Sequence, residues 1–228
     1  MLANPLSSDM NALRPSLLPG LLDSLRHNVS RKNYDVPLFE IGRVFRRDAS
    51  VFDTLTTVAG VAQPVRLAGL VYGPSAPLQW GERERAADFF DVKGDVEALL
   101  TPRRATFVAD THPAMHPGRC ARIEVAGRVL GHVGELHPRW RQSYELPQAP
   151  MLFELDLDAL LERPLPVFTP LPRQQVTLRD VALVVDNRFD HDAIVTALRG
   201  DPEGLVRSAT LFDIYKPAAP VAGWQQGE

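Results

Sequence analysis

Two neighbouring stretches, Ser16-Leu-Leu-Pro-Gly-Leu-Leu-Asp-Ser-Leu25 and Pro37-Leu-Phe-Glu-Ile-Gly-Arg-Val-Phe-Arg-Arg-Asp48, set the architecture of everything around them. In the first, Leu17, Leu18, Leu21, Leu22 and Leu25 recur at helical spacing, while Asp23, Arg26 and His27 fall on the opposite face. Ser16 suits the N-cap, because its hydroxyl can accept from a free amide of the first turn. Pro19 lies early enough to spare the backbone ladder. The helix is expected to fade by Arg31 to Asn33 and to bury its leucine stripe. In the second stretch Phe39, Ile41, Arg43 and Phe45 share one strand face, and Leu38, Glu40, Gly42, Val44 and Arg46 share the other. Charge on both faces places the end of this strand against a groove or solvent.

The whole 228-residue sequence, 45% hydrophobic, holds enough apolar material for one large domain or two modest ones. No apolar run is long enough to span a bilayer, and the N-terminus lacks a basic-then-apolar signal segment, so a cytoplasmic protein without a membrane partner is expected. The single cysteine, Cys120, excludes an intrachain disulfide, which fits a reducing compartment. A net charge of -3 provides no global attraction to nucleic acid, so any RNA contact must be local.

In chain order, Asp53 to Pro64 reads as a loop and Arg66 to Gly73 as a buried strand ended by Gly-Pro. Asp88-Phe-Phe-Asp-Val-Lys-Gly-Asp95 leads into a helix carrying Val96, Leu99 and Leu100, which Pro102 stops. A strand follows at Ala105 to Ala109, then a loop dense in proline and histidine. Arg119 to Val125 and Arg128 to Glu135 form a hairpin through Ala126-Gly127. A short helix over Trp140 to Tyr144 precedes a strand at Met151 to Asp156. Strands outnumber helices and hairpins connect them, which predicts an α+β fold with a mainly antiparallel sheet and helices packed on it. Arg163 to Pro172 contains four prolines and reads as an extended spacer, dividing residues 1–162 from 173–228. Beyond it, Val181 to Val185 reads as a strand, Asp190 caps a helix carrying Ile194, Val195 and Leu198, and Leu205 to Tyr215 reads as a second strand. This order is the first half of a split ferredoxin-like unit.

The opening stretches also carry a family resemblance. The leucine-rich helix with Leu18-Pro-Gly-Leu-Leu22, then Phe39-Glu-Ile-Gly-Arg-Val-Phe-Arg46, resembles the first two motifs of class II aminoacyl-tRNA synthetases. Asn4-Pro-Leu-Ser-Ser-Asp-Met10 with Leu13-Arg-Pro-Ser-Leu-Leu-Pro-Gly20 is similar to the bacterial phenylalanyl-tRNA synthetase beta subunit family, specifically its late, catalytic-like domain. Asp88 to Asp95 resembles the same subunit. Leu178-Arg-Asp-Val-Ala-Leu-Val-Val-Asp186 and Leu211-Phe-Asp-Ile-Tyr-Lys216 resemble its terminal ferredoxin-fold anticodon-binding domain, which in the family continues past Glu228 with another strand, a helix and a final strand. The resemblance thus implies a class II synthetase-like antiparallel sheet flanked by helices, followed by a partial ferredoxin-like domain. It implies a non-catalytic share in the ATP-driven attachment of phenylalanine to its tRNA, with the alpha subunit as partner in an alpha2 beta2 assembly. ATP and Mg2+ are then used by the whole enzyme and no cofactor is bound here.

By position, Arg46 matches the second motif's phosphate-binding arginine and Asp48 its acid, usually a glutamate. The glycine-rich third motif is not found, since Gly118-Arg119 and Gly81-Glu-Arg83 lack its spacing. No catalytic residue is therefore assigned, and Arg43, Arg46 and Arg47 are expected to be structural or interface charges. The leucines from Leu17 to Leu25 are candidates for a subunit interface, because the matching helix in class II enzymes lies at the dimer contact. Candidate tRNA contacts are Arg173, Arg179, Tyr215 and Lys216, with Phe212 beside them, since unpaired bases stack on aromatics and cations hold phosphate. His112, His116 and Cys120 stand four apart, but Pro113, Pro117 and Gly118 forbid the helix that would align them, so no metal site is expected. His132 and His137 read as structural, and Asp91 and Asp95 as acids serving a helix start rather than an acid–base pair. Two other readings stay open, a catalytically active class II ligase domain and a free-standing scaffold that works without tRNA.

Overall fold

The leucine stripe is fully used. Leu17, Leu18, Leu21, Leu22 and Leu25 are none more than 4% exposed, and they pack with Leu70, Tyr72, Leu136 and Leu152 in one core cluster. The computed structural model describes residue 4 and residues 11–168, 175–186 and 188–215. In chain order its elements are α1 (Leu18–Ser30), β1 (Val36–Arg43), β2 (Arg46–Arg47), β3 (Val61–Ala62), β4 (Val65–Tyr72) and α2 (Phe89–Leu100). They continue with β5 (Thr106–Ala109), β6 (Met115–Val125), β7 (Arg128–Leu136), α3 (Pro138–Ser143), β8 (Met151–Asp156), α4 (Leu157–Leu161) and α5 (His191–Arg199).

Six strands form one antiparallel sheet in the order β1-β4-β8-β7-β6-β5, so the last strand in sequence lies near the middle and binds the two halves together. Alternation along each strand divides the core between the two faces. Leu38, Leu70 and Leu152 meet α1 on one face, while Leu67, Phe153, Leu155 and Val133 meet α2 and α4 on the other. Gly69 is paired with Phe153, whose ring occupies the space that a Cβ at position 69 would need, so a glycine lets the ring lie flat across the sheet. At the β6–β7 turn both Ala126 (φ 50°) and Gly127 (φ 78°) are left-handed, which matches the twist of a tight hairpin. Asp88 caps α2 reciprocally with Asp91, the carboxylate of each accepting a backbone N–H at the other's end of the first turn.

Four details differ from the sequence expectations. The strand foreseen from Pro37 to Asp48 breaks after Arg43, because Val44 N–H donates to Pro64 O and Phe45 N–H to Arg14 O rather than to a strand partner. Arg46–Arg47 then pairs with Val61–Ala62 in a separate ribbon, inside what read as a loop. Ser16 sits one residue before the N-cap, which is Leu17; its hydroxyl still accepts the Leu18 N–H, at 3.2 Å. Helix α4, directly following β8, has no leucine stripe long enough to announce it; the Asp156 carboxylate caps it by accepting Ala159 N–H at 3.0 Å.

The chain divides into two units, Met1–Pro166 and Val167–Glu228. Within the second, α5 forms as expected, with the Asp190 carboxylate accepting Ala193 N–H at 2.7 Å. The two strands expected beside it are not formed among the described residues: 181–185 and 205–215 carry no ladder, and Val181, Leu183, Leu211, Phe212 and Ile214 are exposed. A strand exists only by pairing. Among the described residues no neighbouring segment lies in register to pair with either stretch.

Candidate functional site

Strand register builds a polar row on the face that α1 covers. Glu40 on β1 pairs with Ala68 on β4, Ala68 with Glu154 on β8, Glu154 with His132 on β7, and His132 with Arg122 on β6. One row further, Arg66 pairs with Asp156. Helix α1 begins beside Glu154 and lays its leucines over the apolar rows, leaving this polar floor beyond its N-terminus.

The floor is an array of internal pairs. Arg14 donates to Glu40 at 2.6 Å and to the Arg43 carbonyl at 3.0 Å. Arg66 and Asp156 approach to 3.7 Å, Arg122 and Glu124 to 2.5 Å, and His132 Nε2 and Asp110 Oδ2 to 3.2 Å. Glu154 accepts the Leu17 N–H at 2.8 Å and the Ser16 hydroxyl at 3.1 Å, placing a carboxylate at the positive end of the helix dipole. Arg14, Arg66 and Arg122 therefore each already face a carboxylate of the same chain. What this arrangement does chemically is anchor α1; a polyphosphate would have to displace an acid from each arginine in turn.

Above the floor the His112 ring lies over that of His132, 5.0 Å between centroids. Burial, and then the neighbouring His132, hold the His112 pKa below its usual value, with Glu154 and Asp110 opposing and Arg46 adding to the shift. Asp110 is held below the ordinary carboxylate range by the Thr111 backbone N–H and by His132. The sign for His112 follows directly. The unfolded chain takes up this proton more readily than the folded one, so stability falls as pH drops below the usual histidine value of 6.5. We expect the denaturation midpoint to decrease between about pH 7.5 and pH 5.5, and His112→Asn to flatten that decrease. An unchanged pH dependence in the variant would remove His112 as its source.

The sequence-predicted residues are distributed differently. Arg46 is exposed on the β2–β3 ribbon, and Asp48 is committed to its own turn, accepting the Ser50 hydroxyl at 2.6 Å and the Ser50 N–H at 2.9 Å. Those Ser50 bonds lower the Asp48 pKa. Arg46 and Asp48 make no ion pair among the described residues. Arg43 is exposed and donates to the Gln63 carbonyl. The five leucines proposed for a subunit interface are buried against this chain's own sheet, which corrects that expectation. A contact through α1 would have to use its outer face, with Asp23, Arg26 and His27.

His112, His116 and Cys120 face three different neighbours. His112 meets His132, His116 Nδ1 accepts the Gly118 N–H, and Cys120 is buried with its Sγ against Met115, its pKa raised by burial to about 11. His137 caps α3 by accepting the Arg139 N–H. Asp91 holds Arg85 through two contacts of 2.6 and 2.7 Å, and Lys93 pairs with Glu97. In the second unit Arg179 and Tyr215 are exposed, while Arg173 and Lys216 lie outside the described residues. Sequence reasoning missed Glu154 and Asp110, and read His132 as structural without finding its partners. Only Glu154 left a local signal, as an acid inside the apolar run Met151-Leu-Phe-Glu-Leu155.

Curated relatives match this chain over nearly its whole length and a family model over most of it. The chain is 49% identical over 226 residues to the phenylalanine–tRNA ligase beta subunit of Ralstonia nicotianae, covering 97% of this chain and 28% of that protein. The corresponding subunits of Cupriavidus pinatubonensis and Bordetella pertussis are 49% and 46% identical with the same coverage. The chain thus spans under a third of the length of these relatives. Among solved structures, a pyrrolysyl tRNA synthetase of Desulfitobacterium hafniense matches with a TM-score of 0.47 and 18% identity, over 69% of this chain and 51% of that one. The family model of the phenylalanyl tRNA synthetase beta chain CLM domain matches residues 1–157, the whole of the six-stranded sheet with α1 to α3, and this chain belongs to that family.

Proposed function

We propose that this chain is the late, catalytic-like part of a phenylalanine–tRNA ligase beta subunit and that it supports aminoacylation without catalysing it. The observation that carries this reading is the self-paired floor: Arg14, Arg66 and Arg122 each face a carboxylate of their own chain. An adenylating site needs preorganised cations free to meet phosphate charge as it develops. On this reading ATP, Mg2+ and phenylalanine are handled by the alpha subunit in a cytoplasmic alpha2 beta2 assembly, and Arg46 and Asp48 are remnants of the second motif. The residues after the proline-rich spacer belong to an anticodon-reading domain, with Arg173, Arg179, Tyr215 and Lys216 as its candidate contacts.

Packing on the alpha subunit is favoured by β1, an edge strand that presents Phe39 at 75% and Ile41 at 54% exposure beside unpaired backbone groups. No helix among the described residues is long and apolar enough to cross a membrane.

The test is co-expression with the matching alpha subunit, followed by phenylalanine-dependent exchange of pyrophosphate into ATP. The chain alone is expected to show no exchange, and Arg46→Ala to change nothing. The double variant Phe39→Asp/Ile41→Asp is expected to lose co-purification with alpha while keeping its fold. Exchange by this chain alone, abolished by Arg46→Ala, would restore a catalytic role to the second motif.

A further inference from the structure

On the other side of the sheet from the polar floor, a cleft of about 450 Å3 opens between the β6–β7 turn and the end of α4. Its wall is apolar, built from Val125, Leu130 and Ala159, and its rim carries Arg103, Arg128 and Arg163 against a single carboxylate, Glu162. Arg103 is held rigidly: Nη1 donates to the Ala159 carbonyl at 2.8 Å and Nη2 to the Leu160 carbonyl at 2.6 Å, satisfying the last turn of α4. Its Nε is buried and has no partner among the described residues. Arg128 meets Glu162 at 2.7 Å and Arg163 donates to the Thr101 carbonyl at 2.6 Å, so among the described residues each of the two exposed guanidinium groups uses one nitrogen and keeps others free.

Three guanidinium groups and one carboxylate leave two positive charges in excess around an apolar hollow. We propose that this cleft binds a phosphate-bearing ligand of nucleotide size. A phosphate monoester carries close to two negative charges at neutral pH, which matches the excess, whereas a carboxylate supplies one. The planar fork of arginine suits phosphate oxygens, and the Val125–Leu130–Ala159 wall suits the flat face of a base. The volume lies within the range of small-molecule sites, roughly 300 to 1,000 Å3. The ligand chemistry is shared by a free nucleotide and by the 5′-terminal nucleotide of an RNA strand, since both carry a phosphate monoester. The cleft is separate from the degenerate second-motif positions, and nothing in the proposal depends on whether the chain is catalytically silent.

The test titrates the 228-residue chain at low salt with AMP, adenosine and bulk tRNA. AMP is expected to bind at least about tenfold more tightly than adenosine. Arg128→Gln/Arg163→Gln is expected to weaken AMP about tenfold with an unchanged melting temperature, and Glu162→Gln to strengthen it severalfold. If tRNA binds and competes with AMP, and the double variant weakens both, the phosphate comes from a strand; if only AMP binds, it comes from a free nucleotide. Failure of both phosphate probes to bind, equal binding of AMP and adenosine, or wild-type affinity in the double variant would overturn the proposal. Should the double variant not fold, Glu162→Gln decides: unchanged AMP affinity would overturn it.

Discussion

Replacing Leu25 by alanine is expected to destabilise the sheet unit by about 3 to 5 kcal/mol, the range for a large-to-small change at a rigid, closed core position. Leu25 is 0% exposed and belongs to the cluster that α1 shares with the sheet strands. The cost has two parts: the lost transfer of the side chain from water, and a cavity that neighbouring strands, held by their ladders, cannot collapse to fill. Asp23→Ala, on the exposed face of the same helix, is expected to stay within about 0.5 kcal/mol. Urea unfolding followed by far-UV circular dichroism measures both. A change below about 1 kcal/mol for Leu25→Ala would mean that α1 does not close this core.

Removing Glu154 should have the next largest effect, about 1 to 3 kcal/mol for Glu154→Ala, because the Leu17 N–H is left half-buried without an acceptor. The Ser16 hydroxyl loses its acceptor as well. Glu154→Gln keeps an oxygen in place and removes only the charge opposite the helix dipole, so its cost should be smaller. A double-mutant cycle with Ser16→Ala isolates the pair, and a coupling indistinguishable from zero would remove Glu154 as the anchor of α1. The importance of this carboxylate lies in geometry rather than catalysis. The same acid that starts the helix stands in the centre of the polar floor, beside His132, so the apolar and polar halves of this face are joined at one residue.

Some of this was legible before any coordinates. The leucine period of α1 is a signal contained within a few residues, as is the tight turn at Ala126-Gly127, and the folded chain uses both; α2 starts at Phe89, inside the stretch that read as leading into it. The site was much less legible. Arg46 and Asp48 drew attention because they match a motif, yet one is exposed on a two-stranded ribbon and the other is bound into a turn with Ser50. His112 read as one member of a spaced trio with His116 and Cys120, whereas its partner is His132, brought beneath it by the β6–β7 register. In the second unit the strand pattern at Val181 to Val185 was present in the residues, but a pattern makes a strand only where a neighbouring strand accepts its hydrogen bonds.

The sequence by itself determined the longer elements of the sheet unit and the inward face of α1, but not α4 or the β2–β3 ribbon. Hydrophobic period and capping act over distances of three to eight residues, within reach of the local chain. Tertiary structure alone decided the insertion of β8 between β4 and β7, and with it the meeting of Glu154 and Leu17 across 137 residues of chain. It also decided that the arginines of the floor meet acids while those of the cleft remain in excess. Charge pairing depends on which strands lie side by side, and that order follows from how the whole set of apolar faces can be buried at once.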